Sequence, residues 1–123
     1  MFSKSAIYTA VCGAILAAQA IAGGGFSASC SGYGVSGTTL TANCSDGKGG
    51  SRWSSIDLNR CIANYNGNLV CAANGGFGGS CSGCGIRTGA YMICGCRGGS
   101  NPTPIANLDD CVANYGGNLA CAT

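Results

Sequence analysis

The sequence lacks the side chains on which most enzyme chemistry depends. It contains no histidine, and its four acidic residues are all aspartates. These absences remove the usual general bases, a histidine-activated nucleophile and the commonest metal ligand. Asp109 and Asp110 are adjacent in the chain, whereas a glycosidase flanks the bond it cleaves with carboxylates from two sides. We therefore expect no enzyme activity and no calcium site, and we expect these aspartates to accept local hydrogen bonds.

Cysteine is the remaining reactive residue type, and the chain contains eleven of them. The spacing Cys81-x-x-Cys84 followed by Cys94-x-Cys96 is compatible with two kinds of chemistry. In a reducing compartment four thiolates bind zinc well, whereas in an oxidising compartment the same residues pair as disulfides. The cellular compartment therefore determines how these residues are interpreted.

Residues 1–22 have the layout of a secretory signal peptide. A short positive head precedes an apolar run at 6–18, and small residues suited to cleavage end at Ala22. Cleavage there also removes Cys12, which leaves ten cysteines, an even number that suits complete pairing. The sequence therefore predicts a secreted, extracellular, disulfide-rich protein without metal or other cofactor. It has neither the basic surface that nucleic acid requires nor a segment that inserts into a membrane.

The strongest internal signal is a repeat with a period of about 50 residues. Nine of twelve positions are identical between residues 61–72 (CIANYNGNLVCA) and residues 111–122 (CVANYGGNLACA). We predict two pseudo-symmetric copies that together span residues 23–123, the first at about 23–72 and the second at about 80–123. A glycine-rich linker or hinge at about 73–79 joins them.

Each copy has the composition of β structure. Residues 35–42 and 86–93 are rich in β-branched and apolar side chains and lack helical periodicity. Tyr65-Asn66-Gly67 and Tyr115-Gly116-Gly117 predict hairpin turns, because glycine adopts positive φ at no steric cost.

The length of these turns determines which residues face each other. A two-residue turn places Cys71 opposite Ile62, whereas a three-residue turn with a bulge places Cys61 opposite Cys71. The spacing in both copies fits the three-residue turn, so we predict the bridges Cys61–Cys71 and Cys111–Cys121.

Taken together, these motifs resemble the cyanovirin-N homology family of lectins. The resemblance is carried by residues 54–59 (SSIDLN) and 105–110 (IANLDD), which precede the two hairpins, and by the asparagine, glycine and leucine within each hairpin. It extends over essentially the whole chain after the predicted leader. It implies an all-β fold of two pseudo-symmetric halves, in which each three-stranded sheet of one repeat is combined with the hairpin of the other.

The resemblance also implies a set of disulfides. The pairs Cys30–Cys44 and Cys81–Cys96 lie where the family places its two bridges. Cys84 and Cys94 lie inside the second of these loops, so we expect them to form a further bridge.

The function implied by the resemblance is calcium-independent binding of mannose-type oligosaccharides in two shallow sites, one in each half. Carried over position by position, the polar site residues are Ser29, Ser45, Asp46 and Asn114 in one half, and Asn64, Asn66, Ser80 and Arg97 in the other. Several further positions of each site have become glycine, among them Gly24, Gly75, Gly98, Gly99 and Gly116. Arg97 is the only long polar donor carried into either site.

Two residue roles stay open at this stage. Asn64 and Asn114 serve equally well as sugar contacts or as stabilisers of the hairpin turns. Trp53, the only tryptophan, is compatible with stacking on a sugar ring, but an aromatic residue before Ser54 is more often part of the core or its rim.

The leading hypothesis is thus a secreted lectin whose partners are mannose-containing glycans or glycoproteins. The alternative is a cysteine-rich secreted scaffold, effector or antimicrobial protein with degenerate sugar sites, which the glycine substitutions favour. Because a hinge joins two similar elements, both a monomer and a domain-swapped dimer are compatible with the sequence.

Overall fold

The structure, a computed structural model, describes residues 24–122, so the predicted leader at 1–22 lies outside the described residues. The strands are β1 (Cys30–Ser36), β2 (Thr39–Ser45), β3 (Ser51–Asp57), β4 (Ile62–Tyr65), β5 (Asn68–Cys71), β6 (Cys81–Thr88), β7 (Tyr91–Cys96), β8 (Ile105–Asn107), β9 (Val112–Tyr115) and β10 (Asn118–Cys121). Four short 3-10 turns lie at Phe26–Ala28, Leu58–Arg60, Phe77–Gly79 and Leu108–Asp110. Within residues 24–122 there is no helix long and apolar enough to cross a membrane.

The strands form two antiparallel three-stranded sheets and two hairpins. The first sheet has the order β1-β2-β3, the second has the order β6-β7-β8, and the hairpins are β4–β5 and β9–β10. Hairpin β9–β10 packs against β3 of the first repeat, and hairpin β4–β5 packs against β8 of the second. Each half therefore combines the sheet of one repeat with the hairpin of the other, which confirms the predicted all-β, pseudo-symmetric fold.

Alternating side chains along the central strands build the core. Leu40 and Ala42 of β2 point inward, as do Met92 and Cys94 of β7, and all four are buried. The two segments that we predicted as β structure, 35–42 and 86–93, each contain a turn that joins two strands. Glycines at positive φ, Gly37 and Gly89, form part of these turns.

The two repeats fill one equivalent core position in different ways. In the first repeat the rings of Phe26 and Tyr33 meet edge to face with centroids 5.1 Å apart. In the second repeat Cys84 replaces the tyrosine and is bridged to Cys94. This bridge confirms our expectation, as do the bridges Cys30–Cys44 and Cys81–Cys96.

The predicted bridges Cys61–Cys71 and Cys111–Cys121 are wrong. The structure joins Cys61 to Cys121 and Cys71 to Cys111 instead. The reason is the length of the turns: Tyr65 faces Asn68 and Tyr115 faces Asn118, so both hairpins close with two-residue turns.

A two-residue turn shifts each cysteine pair out of register. Cys71 lies opposite Ile62 and Cys121 lies opposite Val112, so neither hairpin can bridge its own strands. Both turn residues of the first hairpin, Asn66 and Gly67, have positive φ, as this turn type requires. The cysteines therefore connect the two hairpins, and hence the two repeats, to each other.

Backbone hydrogen bonds hold the glycine-rich segment between the repeats against the first repeat. The N–H groups of Ala72 and Asn74 donate to the carbonyls of Cys61 and Arg60, at 2.8 and 2.9 Å. Phe77, which follows, is buried in the core. The segment therefore connects the repeats while its backbone is hydrogen-bonded to the first repeat.

The inter-hairpin bridges lead to a prediction about stability. While one of these bridges is present, the other closes only a short additional loop through the two hairpins. Removing it alone, by Cys61→Ala/Cys121→Ala or by Cys71→Ala/Cys111→Ala, therefore costs about 3 kcal/mol. Removing both pairs costs about 7 kcal/mol in the same chain-entropy estimate, which approaches the whole stability of a domain of this size. Guanidinium denaturation of the three variants measures these values. A quadruple variant as stable as either double variant would contradict the prediction.

Candidate functional site

The first cluster of predicted site residues, which we call site one, consists of Ser29, Ser45, Asp46 and Asn114. Asn114 Nδ2 donates to Ser29 Oγ and to the carbonyl oxygen of Ser45, both at 2.9 Å. Its Oδ1 accepts the N–H of Gly117 at 2.7 Å. The hairpin of the second repeat is thereby joined to two segments of the first, so that Asn114, Ser29 and Ser45 come together, and Asp46 follows Ser45 in the chain.

The second cluster, site two, consists of Asn64, Asn66, Ser80 and Arg97 and repeats this framework. Asn64 Nδ2 donates to Ser80 Oγ at 2.8 Å, and its Oδ1 accepts the N–H of Gly67 at 2.9 Å. The N–H of Arg97 donates to the carbonyl of Ser80 at 2.9 Å, as the N–H of Ser45 does to that of Ser29. The two sites thus share a backbone framework and an asparagine–serine pair, and they differ where Ser45 of site one is replaced by Arg97 in site two.

The hydrogen bonds distinguish the roles of the two asparagines. A side-chain amide has two N–H donors, and Asn114, which is only 7% exposed, uses both within the protein. Asn64 is half-buried and uses one donor in this way. Asn114 therefore positions the hairpin, whereas Asn64 keeps one amide hydrogen for a further contact.

Asp46 closes the loop beside site one. Its Oδ1 accepts the N–H groups of Lys48 and Gly50 at 2.7 and 3.0 Å. These two hydrogen bonds lower the pKa of Asp46 from its ordinary value of 3.8, and the nearby charge of Arg52 adds to this effect. Oδ2 has no hydrogen-bond partner within residues 24–122, so site one presents a free anionic acceptor.

Arg97 is the charged residue of site two, and it lies at the position that Ser45 occupies in site one. Its Nη2 donates to the carbonyl of Gly79 at 2.9 Å, which holds the guanidinium beside the turn Phe77–Gly79. The side chain is exposed, and a guanidinium has five N–H donors. Site two therefore presents hydrogen-bond donors where site one presents an acceptor.

Several glycines of the predicted sites are required by the packing of the backbone. A Cβ at Gly24 would lie 2.2 Å from the carbonyl oxygen of Val112, and a Cβ at Gly75 would lie 2.5 Å from that of Ile62. At Gly99 it would lie 2.2 Å from the backbone nitrogen of Gly67. These positions are where one repeat passes against the hairpin turns or strands, so a side chain there has no room.

The structure also places residues whose roles the sequence left open or missed. Trp53, which we expected in the core or its rim, is 62% exposed on the outer face of the first sheet. Ser54 Oγ accepts the N–H of Leu119 at 3.0 Å and so fixes the hairpin beside site one, a role that its position in the Ser54-Ser55 motif did not indicate.

Asp109 accepts the N–H of Ser27 at 2.9 Å, which confirms its predicted structural role. Among residues 24–122 there is no cluster of three potential metal ligands of the histidine, cysteine or carboxylate type.

The asparagine contacts predict unequal effects on folding. Asn114→Ala removes three hydrogen bonds at a buried position and costs about 3 kcal/mol, whereas Asn64→Ala removes two at a half-buried position and costs about 1–2 kcal/mol. Asn68→Ala, at an exposed position of the first hairpin, is the control and stays near the wild-type value. Chemical denaturation gives the three free energies of unfolding. Equal losses for Asn114→Ala and Asn68→Ala would refute the assigned role of Asn114.

The contacts of Asp46 predict a pH dependence confined to its loop. Because the pKa is lowered, the hydrogen bonds to Lys48 and Gly50 are fully formed above pH 3.8 and are lost as the pH falls through the lower, folded-state pKa. Amide chemical shifts of both residues, followed by NMR, should titrate with a midpoint below 3.8. Asp46→Asn abolishes this titration, and a midpoint above 3.8 in the wild type would be inconsistent with the geometry.

Comparison with known proteins agrees with this architecture. Residues 26–120 match the family model described as the CVNH domain. A variant of MoCVNH3, solved in complex with (N-GlcNAc)4, is 22% identical with a TM-score of 0.73, and the match covers 80% of this chain and 97% of that one. GzCVNH of Gibberella zeae is 24% identical with a TM-score of 0.68 and the same coverage.

A third structure, a complex of microvirin with mannobiose, is 22% identical with a TM-score of 0.60 and covers 80% of this chain and 98% of that one. At these identities the structures show a shared fold. No curated protein sequence gives a significant match. Because the family model extends over nearly all described residues, the chain belongs to the CVNH family, the cyanovirin-N homology domains.

Proposed function

We propose that this protein is a lectin that binds mannose-type oligosaccharides at sites one and two without a metal ion. The observation that carries the proposal is the pair of equivalent clusters, in which a hairpin asparagine is hydrogen-bonded to a serine of the opposite repeat. Each cluster holds polar and charged groups at the surface, as recognition of sugar hydroxyls requires. Family members solved with mannobiose and with (N-GlcNAc)4 support carbohydrate as the ligand class.

The two sites offer a sugar different charged groups, the carboxylate of Asp46 at site one and the guanidinium of Arg97 at site two. Site one combines a carboxylate oxygen of Asp46 with the hydroxyls of Ser29 and Ser45, and hydrogen bonds to a charged group are the stronger kind. Site two has Gly98 at the position of Asp46 and so lacks this acceptor. Each lost hydrogen bond weakens binding by about 0.5–1.5 kcal/mol, although a glycan that reaches both sites recovers part of the loss.

A role in binding rather than catalysis follows from how the carboxylates are used. Asp57 accepts the N–H of Asn59 at 3.0 Å and the hydroxyl of Thr38 at 3.2 Å, so it caps a turn. Asp109 is likewise hydrogen-bonded to Ser27. These aspartates support the fold, and the sequence offers no histidine or glutamate in their place.

We also propose that the protein acts outside the cell. The leader-like sequence at 1–22 supports export. The five bridges of the described residues require an oxidising compartment to form and persist.

One observation favours the alternative, a cysteine-rich scaffold or effector whose sugar sites no longer bind. At site two the loop that contains Gly99 packs directly on the backbone of the hairpin turn at Gly67. The contact fills surface beside the turn of site two, and at site one the side chain of Arg52 lies beside the equivalent glycine, Gly117. If the alternative holds, the protein binds no oligosaccharide at either site.

Binding of a high-mannose oligosaccharide, measured by glycan array and calorimetry, tests the proposal. Asp46→Ala and Arg97→Ala should each weaken binding at their own site by about tenfold, the effect of one charge-assisted hydrogen bond. Asp110→Ala and Arg87→Ala are matched controls, because both residues are exposed and lie outside the two sites. Chelation of metals with EDTA should leave the affinity unchanged. If the wild-type protein binds no oligosaccharide in either measurement, the alternative of a scaffold or effector without working sugar sites is correct.

A further inference from the structure

The outer face of the first sheet carries an exposed aromatic ring that neither site uses. Along β3, Arg52 and Ser54 point towards hairpin β9–β10, where they contact Gly117 and Leu119. Side chains alternate along a strand, so Trp53 points to the opposite, outer face, where it is 62% exposed.

The indole ring of Trp53 reaches across the sheet. Its Cη2 atom lies 3.2 Å from the place where a Cβ of Gly32 would be. Gly32 belongs to β1, and Trp53 to β3, so the ring must pass over β2, where Asn43 is its partner in the strand register. Gly83 is the counterpart of Gly32 in the second repeat, and nothing lies within 4 Å of its Cβ position. The first sheet therefore has an aromatic ring lying across its outer face at this position, and the second sheet does not.

Packing for stability does not account for this position. A tryptophan that stabilises a fold buries its ring against apolar side chains. Trp53 instead crosses above Asn43, whose Oδ1 is shielded from solvent and has no hydrogen-bond partner among residues 24–122. A shielded acceptor of this kind costs stability. The arrangement is better explained by a ligand that uses the ring.

The surroundings of the ring are polar and continuous with site one. In the register of β2 and β3, the next outward pair after Asn43 and Trp53 is Ser45 and Ser51. This pair lies about 6.6 Å further along the strands, roughly the length of one sugar residue. On the other side of the ring, Thr41 Oγ1 and Ser55 Oγ are hydrogen-bonded at 3.0 Å.

We propose that Trp53 extends site one, and that a β-linked sugar residue with all-equatorial hydroxyls, such as N-acetylglucosamine, stacks on its indole ring. Such a sugar presents axial C–H groups to the aromatic face, whereas an α-linked mannose carries an axial oxygen on each face. The neighbouring hydroxyls of Ser51 and Ser55 can bond the equatorial groups at the edge of the sugar. This inference rests on the proposed function, because it extends a chain whose next residue occupies site one.

The extension is confined to one half of the protein. Thr103, which lies one repeat period of 50 residues after Trp53, is its counterpart in the second repeat. The outer face of the second sheet carries the paired residues Ile93 and Ile105, with Ile105 52% exposed. An oligosaccharide long enough to reach the ring therefore binds site one more tightly than site two.

Calorimetry with (N-acetylglucosamine)4 and with mannobiose tests the inference on the wild type, Trp53→Ala and Asp46→Ala. We expect Trp53→Ala to weaken binding of the tetrasaccharide about five- to tenfold and to change binding of mannobiose less than twofold. Tyr91→Ala, which removes an exposed aromatic side chain from the second sheet, is the matched control and should have no effect. Because Trp53 is the only tryptophan, a blue shift of the wild-type emission on saturation with the tetrasaccharide reports the contact without any substitution.

The outcomes separate this inference from the proposed function. If Asp46→Ala loses mannobiose while Trp53→Ala binds the tetrasaccharide as the wild type does, the extension is overturned and the lectin stands. An emission spectrum that stays unchanged at saturation has the same meaning. A wild type that binds neither sugar overturns both.

Discussion

The exchange of hairpins between the two repeats is the constraint on which the rest of this structure depends. Neither three-stranded sheet has a complete core of its own, because the strands that cover it come from the other repeat. The bridges Cys61–Cys121 and Cys71–Cys111 fix this exchange covalently. Both candidate sites lie where a hairpin from one repeat meets the loops of the other, so the same exchange that completes the core also assembles the sites.

Within this symmetrical frame the two sites have diverged in chemistry. The bonds from Asn114 to Ser29 and from Asn64 to Ser80 are nearly identical in length. What differs is the charged group that the frame presents, a carboxylate at Asp46 and a guanidinium at Arg97. Because the asparagine–serine framework is shared and these charged groups differ, one fold holds two sites with different hydrogen-bonding groups. The same divergence extends to the outer faces of the sheets, of which one is polar around an indole and the other is aliphatic.

Much of the fold could be predicted from the sequence, because the repeat and the motifs of the family are visible as residue types. The repeats, the β class and three of the five bridges followed from them. The bridges of the hairpins did not, because our prediction of a three-residue turn rests on placing the two cysteines of each hairpin opposite each other. The pair Asn66-Gly67 is typical of a two-residue turn with positive φ at both residues, and the structure has that turn.

The residues of the two sites were predictable as a set, but the part played by each was not. Gly24 and Gly75 look like lost sugar contacts in the sequence, yet they are needed where segments distant in the chain pass each other. The exposure of Trp53 likewise depends on which face of β3 the second hairpin covers. Both properties come from contacts between segments that are distant in the chain, and a pattern read along one strand does not contain them.

The covalent link between the hairpins has a consequence for how copies of this chain can associate. If two chains traded repeats through the segment 72–80, Cys61 of one molecule would stand beside Cys121 of the other, and the same bridges would close between molecules. A closed single chain cannot then open without a reductant, and an intertwined pair cannot separate on dilution. Whether the repeats pair within one chain or between two would thus be fixed at the moment of oxidation, and dilution would not reverse it.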